Sequence, residues 1–151
     1  MRWVGPFRVG EMLERCLDYD RQEWPPEANA VYVVSARPWM GTPMGECERL
    51  YVGGNTGERA RFVTRIGDLI ADLFGFYGRE SGHQSGGRRL HEEYCLERGV
   101  APANLWLGWV RDLLCTTCAE RDLHARLKPL LNRRKPPRCS VHEGHQRPRV
   151  V

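Results

Sequence analysis

One stretch of this 151-residue chain combines the residue types that phosphate chemistry uses. It is Glu120-Arg121-Asp122-Leu123-His124-Ala125-Arg126-Leu127-Lys128-Pro129-Leu130-Leu131-Asn132. Far upstream stand two tyrosine tripeptides, Ala30-Val31-Tyr32 and Tyr51-Val52-Gly53, with Arg61 ten positions after Tyr51. A glutamate can hold a divalent metal, an arginine a phosphate, and a tyrosine a water or its proton. Such a set can hydrolyse a phosphodiester. Singly, each residue has a duller reading: strand tyrosines pack in cores, a helical arginine is solvated, and Glu120 pairs with His124 four positions on. Only the order and spacing of the group outweigh those readings.

The elements that must position these residues follow from periodicity. Val9, Met12, Leu13, Cys16 and Leu17 predict a short amphipathic helix over 8–19, ended by Trp24-Pro25-Pro26. Ala30 to Ser35 is a β-branched run and reads as a buried strand, and Arg49 to Gly53 as its returning partner. The stretch 37–46 between them, with two prolines and two glycines, makes the hairpin tip large. From Glu58 a helix carries the apolar stripe Phe62, Ile66, Leu69, Ile70 and Leu73, with Asn55 or Thr56 as its cap and Arg59, Arg61 and Arg65 near its start. A glycine-rich connection over 78–87 precedes a helix at 88–98, closed by Gly99. Leu105 to Val110 is a third strand. Asp112 is read as the cap of a last helix that stops near Leu127, because Pro129 cannot continue it.

The four blocks, in this order, resemble the GIY-YIG endonucleases. The leucine at +3, proline at +9 and asparagine at +12 from Glu120 are similar to the closing motif in the nuclease domain of the bacterial excision-repair complex. The resemblance implies a small α/β (α+β) fold, a three-stranded antiparallel sheet flanked by helices, over residues 28–132. Residues 1–27 would then be an N-terminal helical extension and 133–151 a basic tail. It implies that Glu120 is the single carboxylate ligand of Mg²⁺ or Mn²⁺ and that Arg61 binds the scissile phosphate. Tyr32 and Tyr51 would share the water or its proton, and Asn132 would position the terminal segment and a backbone phosphate. A tyrosine base needs its phenol pKa brought down from about 10, which a nearby metal and arginine would favour. Three departures stand out. Ala30 replaces a glycine, nineteen positions separate the tyrosines, and Arg65 occupies the place of a histidine four residues after the arginine. His83 and His91 are the candidates to replace that histidine in space.

Composition sets the class of partner. At 41% apolar and 28% charged residues the chain is that of a globular protein, with no apolar run long enough for a membrane helix and no secretory signal at its start. The expected compartment is cytoplasmic, where the six cysteines would be thiols or metal ligands. Residues 121–151 carry nine lysines and arginines against Asp122 and Glu143, although the whole chain is only +4. A basic end on a weakly acidic body suits a polyanion. Candidate DNA contacts are Arg59, Arg65, Arg88, Arg89, Arg133, Arg134 and Lys135. Cys115, Cys118, Cys139 and His142 have spacing tolerable for zinc, with His145 as a second choice, against the alternative of packed thiols. The resulting expectation is a metal-dependent DNA endonuclease, with restriction as its leading role and a homodimer where both strands are cut. The competing expectation is an inactive, zinc-stabilised nucleic-acid-binding module; an RNA-directed nuclease is the third.

Overall fold

The computed structural model describes residues 2–14, 30–54, 62–77, 85–111, 113 and 115–140. Four strands, β1 (Arg2–Arg8), β2 (Val31–Ser35), β3 (Arg49–Gly54) and β4 (Trp106–Arg111), form one sheet in the order β1-β4-β2-β3. Every pairing is antiparallel. Helices α1 (Val9–Glu14), α2 (Phe62–Leu73), α3 (Ser85–Arg89) and α4 (Thr116–Leu127) accompany it, with a π-helical segment at Leu90–Leu96 continuing α3 and a 3₁₀ turn at Pro102–Asn104. The class is mixed α/β.

The sheet has four strands rather than the expected three. Residues 2–8, assigned from sequence to a helical extension, supply the extra strand and pair Arg2 through Arg8 with Arg111 through Trp106. Gly5-Pro6 in its middle hides it from a strand pattern. Proline is tolerated there because β1 is an edge strand, with no second neighbour to receive its missing N–H. The expected first helix is present as α1; its continuation over 15–19 lies outside the described residues, as do the caps Asn55 and Thr56.

β2 is central and buried at all five positions, because both faces of the sheet are covered. On one face Ile66, Leu69 and Leu73 of α2, with Leu90 and Tyr94, pack against Tyr32, Val34, Leu107 and Trp109. On the other, Ala119, Leu123 and Leu127 of α4 pack against Val31, Val33, Val52 and Val110. The enlarged hairpin tip folds back onto this second face through Trp39 and Cys47. Trp39 lies so close to Gly108 that a Cβ there would collide with its ring.

α4 begins at Thr116 with Cys115 at its N-cap, three positions after the expected cap Asp112, which lies outside the described residues. It ends at Leu127 as expected, with Lys128 in the left-handed conformation and Pro129 next. Arg49 ties that end to the hairpin tip: its guanidinium donates to the carbonyls of Leu127, Pro43 and Gly45. No helix among the described residues is long and apolar enough to cross a membrane.

Candidate active site

Tyr32 faces Gly53 across the β2–β3 pair and Tyr51 faces Val34, so the tyrosines are diagonal neighbours on one face. Their rings stack with centroids 6.2 Å apart at 28°. Glycine makes that arrangement possible. A Cβ on Gly53 would run into the Tyr32 hydroxyl, and one on Gly86 would run into the Tyr51 ring. Gly86 and Gly87, read from sequence as the end of the glycine-rich connection, are therefore buried seats for Tyr51 and Asp72.

Beside the tyrosines opens a polar cavity of about 140 Å³. Liquid water occupies about 30 Å³ per molecule, so the space suits an ion with a few waters or part of a phosphate. Tyr32 of β2, Tyr51, Gly53 and Gly54 of β3, Arg65, Asp68 and Asp72 of α2, Gly86 and Gly87 of α3, and Glu120 of α4 line it. Glu120 comes from the helix on the opposite sheet face. It meets the tyrosines where the edge strand β3 ends in Gly53-Gly54, a stretch with no side chains to separate the faces.

Burial dominates the electrostatics. It pushes the Glu120 carboxyl up to about 7, with the Arg65 guanidinium pulling the other way. Burial also raises the Tyr32 phenol well above its ordinary value; Tyr51, Glu120 and Asp72 add to the rise and Arg65 opposes it. Tyr51 moves up for the same first reason, with Glu120 adding and Arg89 and Arg65 opposing. In the protein alone both phenols therefore stand above their ordinary value. Arg65 acts in the expected direction, but desolvation of the phenols outweighs it.

No family model, curated protein or solved structure matches this chain. The site must be judged on its own residues.

Of the five candidate catalytic residues, Tyr32, Tyr51 and Glu120 share the cavity. Asn132 is committed elsewhere, with both ends of its amide bonded to the backbone of Val52. Arg61 and Arg59 lie outside the described residues, and among the described ones the arginine that reaches the cavity is Arg65. Asp68 and Asp72 are additions to the set drawn from sequence. They lie three and seven residues after Arg65, on the same flank of the apolar stripe, and that spacing is the signal that marks them.

The other basic candidates divide. Arg89 donates to the Leu131 carbonyl at 2.9 Å, and Arg133 is ion-paired with Glu93. Arg88 pairs with Glu92 at 3.1 Å and covers the Tyr77 ring. His91, a candidate for the absent histidine's place, bonds the Leu73 carbonyl through Nδ1 at 2.7 Å; His83 is outside the described residues. Arg134 and Lys135 are exposed. Lys135 and Arg121 both lie near His124: the imidazole is held below its usual range first by burial, then by those two cations. A basic patch thus flanks α4 beyond Glu120.

Cys115, Cys118 and Cys139 converge, their sulfurs all within 4.8 Å of one another, and this cluster could bind a metal ion such as zinc. His142 and His145 lie outside the described residues.

Proposed function

We propose that this chain is a metal-dependent endonuclease of GIY-YIG type that hydrolyses DNA phosphodiesters with an activated water. The observation that carries the reading is the shared cavity. Two tyrosines, an arginine and a glutamate from four separate elements line one polar space with room for a hydrated ion.

The donor set fits a hard cation held by one carboxylate. Among the described residues, no three carboxylates bring their oxygens within 4.8 Å of one another, so waters would complete much of the shell around Glu120, the ligand that the resemblance implies. Among those residues, Arg65 is the cation that offsets an ionised Glu120 in this buried space, and a metal ion would supply the rest. Bound Mg²⁺ or Mn²⁺ would acidify water and neutralise phosphate charge.

The chain's own residues have separable tasks. Arg65, with Arg61 as its partner from the sequence motif, would pair with phosphate oxygens and offset the negative charge that develops in the transition state. Tyr32 and Tyr51 stay neutral, so their hydroxyls would aim the attacking water by hydrogen bonds, leaving the proton to another acceptor. Gly53 and Gly54 admit the DNA backbone at the sheet edge. Arg134 and Lys135 would extend the electrostatic contact along the strand. One such site cuts one strand, so a restriction-type double-strand break would need a homodimer. Zinc in the thiol cluster would be structural, apart from the reacting groups.

The test is cleavage of supercoiled plasmid in Mg²⁺ or Mn²⁺ by the wild type and Glu120→Ala. Nicked or linear product from the wild type alone supports the proposal, and discrete bands favour a restriction-type enzyme. Intact plasmid in both, with DNA binding retained, replaces it with the inactive binding module.

A further inference from the structure

A second group of chemistry-bearing side chains lies at the start of α4. Cys115 is its N-cap, Cys118 is in its first turn, and Cys139 arrives from the chain beyond Pro136-Pro137. The Cys115 and Cys139 sulfurs are 3.7 Å apart, and all three lie within 4.8 Å of one another. A disulfide requires about 2.05 Å between sulfurs. Tetrahedral zinc, with Zn–S near 2.3 Å, places its sulfur ligands about 3.8 Å apart. The Cys115–Cys139 separation is that of the metal site, and the Cys118 sulfur is close enough to join it.

We propose that Cys115, Cys118 and Cys139 hold a structural zinc ion that clasps the tail onto the beginning of the helix bearing Glu120. This inference rests on the thiol geometry and holds whether or not the chain is a nuclease.

The surroundings agree with a clasp. Arg121 donates to the Pro136 carbonyl at 2.9 Å, and Pro136 is buried, so the tail already lies against α4 at this point. Thiolates favour zinc over the hard ions suited to Glu120. Cys47 and Cys95, by contrast, belong to no such group among the described residues: Cys47 bonds the Pro43 carbonyl and Cys95 is buried in the main core. For the fourth ligand the sequence offers His142 and His145.

The clasp has a mechanical consequence. Cys118 is two residues before Glu120, and Cys139 is four after Lys135. Zinc would fix both the first turn of α4 and the basic segment beside it. The ion would add to the hold that Arg121 and the packing of Pro136 provide.

The reduced, full-length chain, purified without chelator, should contain about one zinc per molecule by elemental analysis, as a single closed site requires. Replacing the ion with Co²⁺ should give a thiolate-to-cobalt charge-transfer band with tetrahedral visible bands, and adding Zn²⁺ should bleach both. Cys139→Ser should lose most of the charge-transfer intensity while Cys95→Ser keeps it. Chelation of the wild type should speed tryptic cleavage between Arg133 and Arg138. Absence of both zinc and the cobalt band in the reduced wild type overturns the proposal, and so does a full-strength band in Cys139→Ser. None of these readings uses DNA cleavage, so the clasp and the nuclease can fail separately.

Discussion

Asn132 pairs with the backbone of Val52 as a neighbouring strand would. Its Oδ1 accepts from the Val52 N–H at 2.9 Å, and its Nδ2 donates to the Val52 carbonyl at 2.8 Å. Just before it, the N–H groups of Leu130 and Leu131 donate to the carbonyls of Arg49 and Leu50. Residues 130–132 therefore satisfy the outer edge of β3, the strand that carries Tyr51. The asparagine at the end of the glutamate motif acts on the site through this strand.

Asn132→Ala removes both bonds and leaves the edge of β3 open at Val52. At roughly 0.5–1.5 kcal/mol per bond, the expected loss is about 1–3 kcal/mol of stability, read by urea denaturation. DNA affinity of the folded variant should hold, because the backbone of Val52 engages both ends of the amide. A variant of unchanged stability but weakened DNA binding would return Asn132 to the role that the resemblance implied.

Two glycine substitutions separate seating from propensity. Gly86→Ala puts a methyl into the Tyr51 ring, whereas a methyl on Gly67 meets nothing within 4 Å. Gly86→Ala should displace the tyrosine, change the near-ultraviolet circular dichroism and reduce cleavage at least tenfold. Gly67→Ala, at an exposed position inside α2, should raise stability by about 0.5–1 kcal/mol and spare activity. Equal activity in the two variants would show that Tyr51 needs no such seat.

The strands that bring Tyr32 and Tyr51 together are legible because β-branched residues crowd 31–34 and a short return follows a turn-rich tip. Ile66, Leu69 and Leu73 announce α2, and Pro129 announces the end of α4. Local pattern fails where tertiary structure overrides it. β1 contains Gly5-Pro6 and is a strand only because β4 lies beside it. Asp112 has the chemistry of a cap, yet α4 starts where Cys115 meets its partners. Tyrosine acidity escapes for a related reason: charge partners can be read along a chain, but the desolvation that overcomes Arg65 comes from packing. The spacing from Arg65 marks the flank on which Asp72 lies, but its burial in that packing, at 1% exposure, escapes in the same way.

Raised phenols give the tyrosines a testable protonation state. If they orient water while neutral, the cleavage rate has no limb that climbs toward alkaline pH with tyrosine ionisation. Tyr32→Phe and Tyr51→Phe should each lower the rate by about 10²-fold at a constant pH profile, within the range for a positioned proton-handling group. A wild-type rate that keeps rising above about pH 9, near the onset of ordinary phenol ionisation, and loses that rise in one of the two variants, would identify that tyrosine as the base.

Glu120 sits at a cost to the fold, and the sign of that cost sets a final experiment. Its carboxyl is pushed up to about 7 from an ordinary 4.5. Between those values the folded chain keeps a proton that the unfolded chain has given up, so this residue's contribution to stability falls as pH rises through the window. Glu120→Gln cannot titrate. It should therefore melt above the wild type at pH 8, with the difference shrinking toward pH 4.5. Mg²⁺ would compete with the same proton, which predicts proton release on binding below pH 7. At pH 8 it should raise the melting temperature of the wild type and leave Glu120→Gln unchanged. Equal Mg²⁺ stabilisation of both proteins would place the ion away from this carboxylate, whereas stabilisation of the wild type alone would tie the buried charge to the ion that the proposed reaction needs.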